Sequence, residues 1–200
     1  MALEFAVTWD YRCPFARNAH EHVLTALAGG ADWDVRFLPF SLDQTHVEDG
    51  GEAVWGRPEQ FPGLLANEVG VAVRDRFPSQ FPAVHRALFA ARHAQARDTR
   101  QRDVLAAVVA EAGLDAEAVL AEVDDGWPRA VFHKEHEAAA RDHNVWGVPT
   151  FIAGGHAAFV RLMDLPEGDV ARATSTVERI ISLLAGWPAL NEFKHTSLNH

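Results

Sequence analysis

The chain begins with a regular alternation of large apolar side chains and smaller or polar ones. This period of two over residues 3–9 predicts a β-strand. A helix is predicted over 15–28, which carries apolar side chains on one face, and a second strand over 35–40. A strand, a helix and a strand in this order normally form a right-handed crossover between parallel strands.

The middle of the chain has a different pattern. Residues 41–82 contain a Gly-Gly pair and four prolines, which predicts loops with short helices. Asp115 is a candidate N-cap, because its side chain can accept hydrogen bonds from the first turn of a following helix. Periodic apolar positions predict helices over 84–97, 101–112, 116–124 and 128–143.

Strand patterns return near the end of the chain. The segments 150–153 and 156–160 flank a Gly-Gly pair and predict a β-hairpin. A final amphipathic helix is predicted from residue 167 to Gly186. The resulting order, β–α–β, a helical segment and β–β–α, places the fold in the α/β class.

Composition and charge narrow the classes of function. The net charge of −10 argues against a nucleic-acid or anionic-membrane partner, since either would favour a basic surface. No apolar stretch is as long as a membrane span, which needs about eighteen residues. Residues 1–11 lack the basic start and the apolar run of a signal peptide. One cysteine cannot form an intramolecular disulfide. We therefore expect a cytoplasmic protein without a membrane or nucleic-acid partner.

Cys13 lies where the first strand ends and the first helix begins. Free N–H groups and the positive end of the helix dipole stabilise a thiolate at such a position. Pro14 fits the first helical turn, where its missing N–H costs nothing. A lone cysteine is often a small buried apolar residue, but this position favours a nucleophile. We expect an exposed thiol with a pKa below that of free cysteine.

Pro149 lies directly before the third predicted strand. A cis bond before proline costs only about 0.5–1 kcal/mol over trans, and it would leave the backbone N–H and C=O of Val148 free to pair with an extended thiol ligand. A trans proline at the start of an edge strand is the alternative. Tyr11 and Trp146 are placed to line the same groove, although packing in the core is the alternative for each.

The eleven histidines do not form a zinc signature. His20 and His22 are two residues apart and point away from each other on a helix, whereas His133 and His136 can share a face. We expect these side chains to lie on solvated helix faces, and we expect no metal site.

Two segments together resemble a known family. VTWDYRCPFA at 7–16 and WGVPTFI at 146–152 resemble the active-site junction and the cis-proline loop of DsbA-like thioredoxin-fold proteins. AGLDAEAV at 112–119 is similar to a segment of their helical insertion. The tail at 191–196 resembles that of actinobacterial mycothiol-dependent oxidoreductases.

The resemblance implies a thioredoxin fold with a mostly helical insertion. Its parts are a thioredoxin-like domain at 1–45 and 146–188, the insertion at 46–145 and a C-terminal tail at 189–200. It also implies that substrate contacts surround the nucleophile Cys13. The implied substrate-binding residues are Tyr11, Pro14, Phe15, Trp146, Val148, Pro149 and Thr150.

One departure from the family pattern changes the implied chemistry. The family's redox motif is Cys-x-x-Cys, and Ala16 occupies the place of the second cysteine. The resemblance then implies a monothiol reaction: Cys13 attacks a disulfide or an electrophile, and an outside thiol resolves the product. The implied co-substrate is a low-molecular-weight thiol, either mycothiol or glutathione, with no tightly bound cofactor.

Two other functions remain open. Kappa-class glutathione transferases and hydroxychromene carboxylate isomerases are related branches that keep the fold and bind a low-molecular-weight thiol. In an isomerase or transferase of that type the bound thiol does the chemistry and Cys13 positions it. A catalytically degenerate binding protein is the other alternative. The sequence leaves the substrate, the resolving thiol and the choice between a monomer and a homodimer open.

Overall fold

The computed structural model describes residues 2–48, 50–192 and 194–195. In these residues four strands form one mixed sheet in the order β2-β1-β3-β4. β1 pairs in parallel with β2 and antiparallel with β3, and β3 pairs antiparallel with β4. The strands are β1 (Leu3–Trp9), β2 (Trp33–Pro39), β3 (Thr150–Ala153) and β4 (His156–Phe159).

Seven α-helices accompany the sheet in the described part of the chain, five of them between β2 and β3. Asp115 caps one of these, as the sequence predicts, because its side chain accepts from the backbone N–H groups of Glu117 and Ala118. The helices are α1 (Pro14–Ala28), α2 (Leu64–Arg76), α3 (Phe81–His93), α4 (Arg102–Glu111), α5 (Ala116–Asp124), α6 (Trp127–His143) and α7 (Val170–Gly186). The predicted α/β class with a helical segment between the two halves is confirmed.

The prediction of loops with only short helices over 41–82 is wrong in part, because α2 occupies thirteen of those residues. This helix packs against α3, α4, α5 and α6, so it is covered on nearly all sides. Even its polar residues Asn67 and Glu68 are buried. A helix surrounded in this way has no single apolar stripe, and the helical period in its sequence is therefore weak.

The sheet separates two apolar clusters. On one face Phe5, Val7 and Phe151 pack against α1 and α7 through residues such as Val23 and Ile181. On the other face the helices between β2 and β3 form a larger cluster that includes Ala6 and Ile152. Trp9, the last residue of β1, also belongs to this larger cluster. The alternation along β1 thus distributes Phe5 and Val7 to one face and Ala6 to the other.

The two segments predicted to carry the site meet at one end of the sheet. β1 ends four residues before Cys13, and β3 begins directly after Pro149. The backbone N–H of Thr150 donates to Oγ1 of Thr8 at 2.8 Å, which joins the start of β3 to the end of β1. The first turn of α1 and the loop before β3 are therefore neighbours.

Two further expectations concern the whole chain. Among the described residues no helix is both long enough and apolar enough to cross a bilayer. Of the tail expected over 189–200, residue 193 and residues 196–200 lie outside the described part, so the resemblance of 191–196 falls partly outside it as well.

Candidate active site

Cys13 is the N-cap residue of α1, and Pro14 follows it in the first helical turn. The backbone N–H of Cys13 donates to the carbonyl oxygen of Asp10 at 2.9 Å, and its own carbonyl accepts from Arg17 at 3.2 Å. These bonds fix the turn between β1 and α1. The Sγ–H group is then directed at the loop before β3, where it donates to the carbonyl oxygen of Val148 at 3.2 Å.

The loop that faces the sulfur is held on both sides. The Val148–Pro149 peptide bond is cis, the form that would free the backbone of Val148. Oγ1 of Thr150 donates to the carbonyl of Gly147 at 2.8 Å, and Val160 N–H donates to the carbonyl of Pro149 at 3.1 Å. The position of the Val148 carbonyl is therefore set by hydrogen bonds of the sheet and not by the sulfur alone.

The expectation of an exposed thiol with a low pKa is wrong for the free protein. Cys13 is only 8% exposed, because the Val148 loop covers the sulfur. Burial raises the pKa of the Cys13 thiol, and the negative charge of Asp10 raises it further. The backbone N–H groups of Ala16 and Phe15 act in the opposite direction, as expected at a helix start, but they do not outweigh the loss of solvent.

Asp10 anchors the turn that carries Cys13. Its buried carboxylate accepts from the backbone N–H of Arg12 at 2.9 Å and from that of Leu42 at 3.0 Å. The Arg12 guanidinium bridges Asp10 at 3.3 Å and Asp43 at 2.7 Å. These bonds fix the position of the Asp10 carboxylate in the turn that carries the sulfur.

An open pocket of about 520 Å³ lies beside this turn, next to Arg12. Cys13 is not among its lining residues, so the pocket adjoins the thiol but does not contain it. The lining residues are Arg12, Asp43, Gln60, Phe61, Pro62, Gly63, Arg92, Asp98 and Arg100.

A fully buried series of three hydrogen bonds connects Tyr11 to the carbonyl oxygen of Thr8 in β1. The hydroxyl of Tyr11 is 2.6 Å from Nδ1 of His85, Nε2 of His85 is 2.9 Å from Nδ1 of His20, and Nε2 of His20 is 3.1 Å from the carbonyl oxygen of Thr8. A carbonyl can only accept, so Nε2 of His20 donates. In a neutral imidazole the other nitrogen accepts, so Nδ1 of His20 accepts from Nε2 of His85. Nδ1 of His85 in turn accepts from the hydroxyl of Tyr11.

Burial keeps the two histidines of this hydrogen-bonded series, His20 and His85, neutral. Burial lowers the pKa of His20 to about 4 and that of His85 well below its ordinary value. The positive charges of Arg74 and Arg86 lower the pKa of His85 further. Burial also raises the pKa of Tyr11 far above its ordinary value, so the phenol keeps its proton. The hydrogen-bonded series from Tyr11 to Thr8 therefore consists of neutral groups, and each of its hydrogens has one acceptor.

Three sequence-based assignments need correction. The ring of Tyr11 is completely buried, packed 4.8 Å from Phe89 between ring centroids, so it cannot contact a substrate. Thr150 is buried as well, and both its hydroxyl and its N–H bond within the protein. His20, His22 and His136 do not lie on solvated helix faces, because all three are buried.

The remaining candidate residues belong to the first turn of α1 and to the loop before β3, the two segments that meet at the sulfur. Pro14 is exposed and Phe15 is half-buried on the first turn of α1, whereas Val148 and Pro149 form the covering loop. Trp146 is 66% exposed, and its ring lies 4.7 Å from that of Phe159 between centroids. No group of three or more His, Cys, Asp or Glu side chains able to hold a metal ion occurs among the described residues.

Sequence reasoning missed Phe159 and Arg161. The guanidinium carbon of Arg161 lies 5.5 Å from the ring centroid of Phe15 and 6.0 Å from that of Phe159. The signal for Phe159 was present, because a two-residue turn at 154–155 pairs residue 150 with residue 159, as the structure shows. Arg161 follows β4 in an irregular segment, and no local pattern marks its position.

The fold and the site together define a thioredoxin-like protein with a single cysteine at the start of its first helix. The family model of the DSBA-like thioredoxin domain matches residues 6–167. The chain therefore belongs to this family, and the thioredoxin fold implied by the resemblance is confirmed. No curated protein is significantly similar to the chain in sequence.

Solved structures with this fold are distant in sequence. A 2-hydroxychromene-2-carboxylate isomerase is 15% identical with a TM-score of 0.62, over 90% of this chain and 97% of that one. The cytosolic disulfide reductase DsbM from Pseudomonas aeruginosa with GSH is 20% identical with a TM-score of 0.60, over 90% and 100%. DsbA from Xylella fastidiosa is 16% identical with a TM-score of 0.57, over 90% and 87%. At these identities the likeness shows the fold alone.

Proposed function

We propose that this protein is a cytoplasmic thiol–disulfide oxidoreductase that works with Cys13 as its only redox sulfur. Membership of a family of thiol oxidoreductases supports the general role. The observation that carries the specific proposal is the placement of Cys13 Sγ at the start of α1 and 3.2 Å from the Val148 carbonyl before cis-Pro149. Ala16 stands where a second cysteine would resolve the reaction internally.

The proposed reaction consists of two thiol–disulfide exchanges. The Cys13 thiolate attacks one sulfur of a substrate disulfide, forms a mixed disulfide with it and releases the other sulfur as a thiolate. The thiolate of mycothiol or glutathione then attacks the substrate sulfur of the mixed disulfide. Cys13 leaves as a thiolate, and the co-substrate becomes disulfide-bonded to the group that Cys13 carried. Sulfur atoms and electrons balance without a further oxidant.

The buried thiol requires a step that frees its proton. In the free protein Sγ–H donates to the Val148 carbonyl, and a hydrogen bond made by the neutral form disfavours ionisation. An extended ligand that donates its own N–H to Val148 displaces the thiol from this acceptor. The hydrogen bonds that then remain to the sulfur come from the N–H groups of Ala16 and Phe15, which favour the thiolate against burial and the charge of Asp10. Occupation of the groove would thus activate Cys13.

Intact-mass spectrometry tests this proposal. The protein is incubated with oxidised glutathione and, separately, with oxidised mycothiol, and we expect one adduct per chain with the better co-substrate. The adduct should disappear on addition of the corresponding reduced thiol and be absent in Cys13→Ser. A wild-type protein that gains no adduct from either disulfide would overturn the proposal.

One observation favours a second candidate function. Since burial raises the pKa of the Cys13 thiol, the resting site suits a neutral group that positions a bound thiol, as in an isomerase or transferase of the hydroxychromene carboxylate isomerase or kappa type. That function predicts tight binding of reduced mycothiol or glutathione without covalent modification of Cys13. A degenerate binding protein predicts neither the adduct nor the bound thiol.

A further inference from the structure

Three aromatic rings and one guanidinium form a continuous surface, here called the aromatic–arginine face: Phe15, Trp146, Phe159 and Arg161. The rings of Trp146 and Phe159 are tilted by 41° with their centroids 4.7 Å apart. The guanidinium of Arg161 lies over Phe15 at 5.5 Å and over Phe159 at 6.0 Å. A large, mostly exposed tryptophan in this surface offers stacking area to a ligand.

The aromatic–arginine face is built on the chain segments that carry Cys13 and Val148. Phe15 follows Cys13 by two residues, and Trp146 precedes Val148 by two. Phe159 pairs with Thr150 across the hairpin and packs over Gly147, where an added Cβ would lie 3.5 Å from its ring. The aromatic–arginine face is therefore carried by the two segments that hold Cys13 and Val148, whose Sγ and carbonyl oxygen are 3.2 Å apart.

The charge of Arg161 is not neutralised by an ion pair with any described carboxylate. Arg12, by contrast, is paired with Asp10 and Asp43. The tail residue Glu192 is near enough for Arg161 to contribute to its lowered pKa, but its ion pair is with Lys194, at 2.9 Å. A guanidinium that lies over aromatic rings still has N–H groups with which to bind a planar anion.

We propose that the aromatic–arginine face binds an aromatic carboxylate carried by the molecule that reacts with Cys13. Its ring stacks on Trp146 and Phe159, and its carboxylate accepts from the N–H groups of Arg161. This inference rests on the proposed reactivity of Cys13 and adds a substrate class to it. On a protein with a net charge of −10, a cation without an ion pair on this face favours an anionic ligand over a neutral one.

Exchange kinetics with three symmetrical disulfides test the proposal. The probes are 5,5′-dithiobis(2-nitrobenzoate), which is aromatic and anionic, 4,4′-dithiodipyridine, which is aromatic and neutral, and 3,3′-dithiodipropionate, which is aliphatic and anionic. The measured quantity is the second-order rate constant for mixed-disulfide formation at Cys13. Each rate is divided by that of N-acetylcysteine with the same probe, which removes the intrinsic reactivity of the disulfide.

The variants separate charge from stacking. Arg161→Gln should slow the aromatic anionic probe by about threefold to fivefold, the size expected of a partly exposed ion pair, and leave the neutral aromatic probe unchanged. Trp146→Ala should slow both aromatic probes and not the aliphatic one. The control Arg179→Gln removes the same charge from an exposed site on α7 and should change none of the three rates. Added salt should reduce the effect of Arg161→Gln.

The outcomes distinguish this inference from the proposed function. If no probe reacts with Cys13, the proposed function fails. If the probes react but Arg161→Gln slows all three equally or none, the inference fails while the proposed function stands. Both substituted side chains are exposed, and thermal unfolding of each variant confirms that the rates come from folded protein.

Discussion

The Sγ atom of Cys13 donates its hydrogen to the carbonyl oxygen of Val148 across 3.2 Å. This contact joins the first turn of α1 to the cis-proline loop, two segments that are 135 residues apart in the sequence. It also stabilises the neutral form of the thiol, whose pKa is raised by burial. Two predictions concern this state of the sulfur.

Alkylation of Cys13 in the free protein should be slow at neutral pH. Since burial raises the pKa of the thiol, the rate of reaction with iodoacetamide should reach its midpoint at a higher pH than that of N-acetylcysteine measured in parallel. Cys13→Ser provides the blank. A midpoint below that of N-acetylcysteine would contradict the burial argument. It would instead support the expectation from the sequence that the helix start lowers the pKa of Cys13.

Removing the Asp10 charge should lower the pKa of Cys13. The carboxylate disfavours the thiolate by charge repulsion, so Asp10→Asn should move the midpoint of the alkylation curve to lower pH. Asp43→Asn is the matched control, because Asp43 also pairs with Arg12 but does not contribute to the shift at Cys13. Equal midpoints for Asp10→Asn and the wild type would show that the charge does not act on the sulfur.

A second cysteine at position 16 should form an internal disulfide. Ala16 lies three residues beyond Cys13 on the first turn of α1, a spacing compatible with the Cα separation of about 4.4–6.8 Å that a disulfide requires. Ala16→Cys should lose two hydrogens in oxidising glutathione and gain disulfide reductase or oxidase activity. Ala19→Cys is the control, since its side chain is equally buried but about 9 Å along the helix axis from Cys13. Two glutathione adducts on Ala16→Cys in place of the internal bond would contradict this geometry.

Gly70 makes room for the buried Tyr11–His85 hydrogen bond. A Cβ at Gly70 would lie 2.6 Å from the Tyr11 hydroxyl oxygen and 2.8 Å from its ring, so Gly70→Ala forces the tyrosine to move inside a closed core. We expect a loss of about 1–3 kcal/mol in the free energy of unfolding, the usual cost of overpacking. Gly186→Ala, where no atom lies within 4 Å of the added Cβ, should not destabilise the protein. Equal unfolding curves for the two variants would show that the core around Tyr11 is loosely packed.

Stability should fall as the pH decreases below 6.5. The folded-state pKa of His20 is lowered to about 4 by burial, so between these values the unfolded chain binds a proton that the folded chain does not. The free energy of unfolding therefore rises with pH through this window. His20 contributes up to roughly 3 kcal/mol, as 1.36 kcal/mol per pKa unit implies.

Denaturant unfolding at several pH values from 7 to 4.5 measures this dependence. The buried His136, whose pKa is also lowered to about 4, acts in the same direction, so His20→Gln should make the dependence shallower without abolishing it. A free energy of unfolding that stays constant from pH 7 to 4.5 would show that the buried histidines are protonated or solvated in the folded state.

Local patterns in the sequence determined much of the scaffold. The alternation over β1, the Asp115 cap and the Gly-Gly turn of the hairpin each depend on neighbouring residues, and all three are present in the structure. The positions of Cys13 at a helix start and of Pro149 before a strand follow from the same local rules. Sequence reasoning was therefore sufficient to place Cys13 and the loop that faces it on the fold.

Tertiary structure alone decided the environment of those residues. The helix start favours the thiolate, but the loop carrying Val148, which is distant in sequence, covers the sulfur and reverses the direction of its pKa shift. Tyr11 has the same position in the sequence whether it faces a groove or the core, and only the packing of α3 on β1 places it against His85. The periodicity of the sequence indicates which face of an element is apolar. The burial of a residue and the charges around it depend on which distant segments pack against that face.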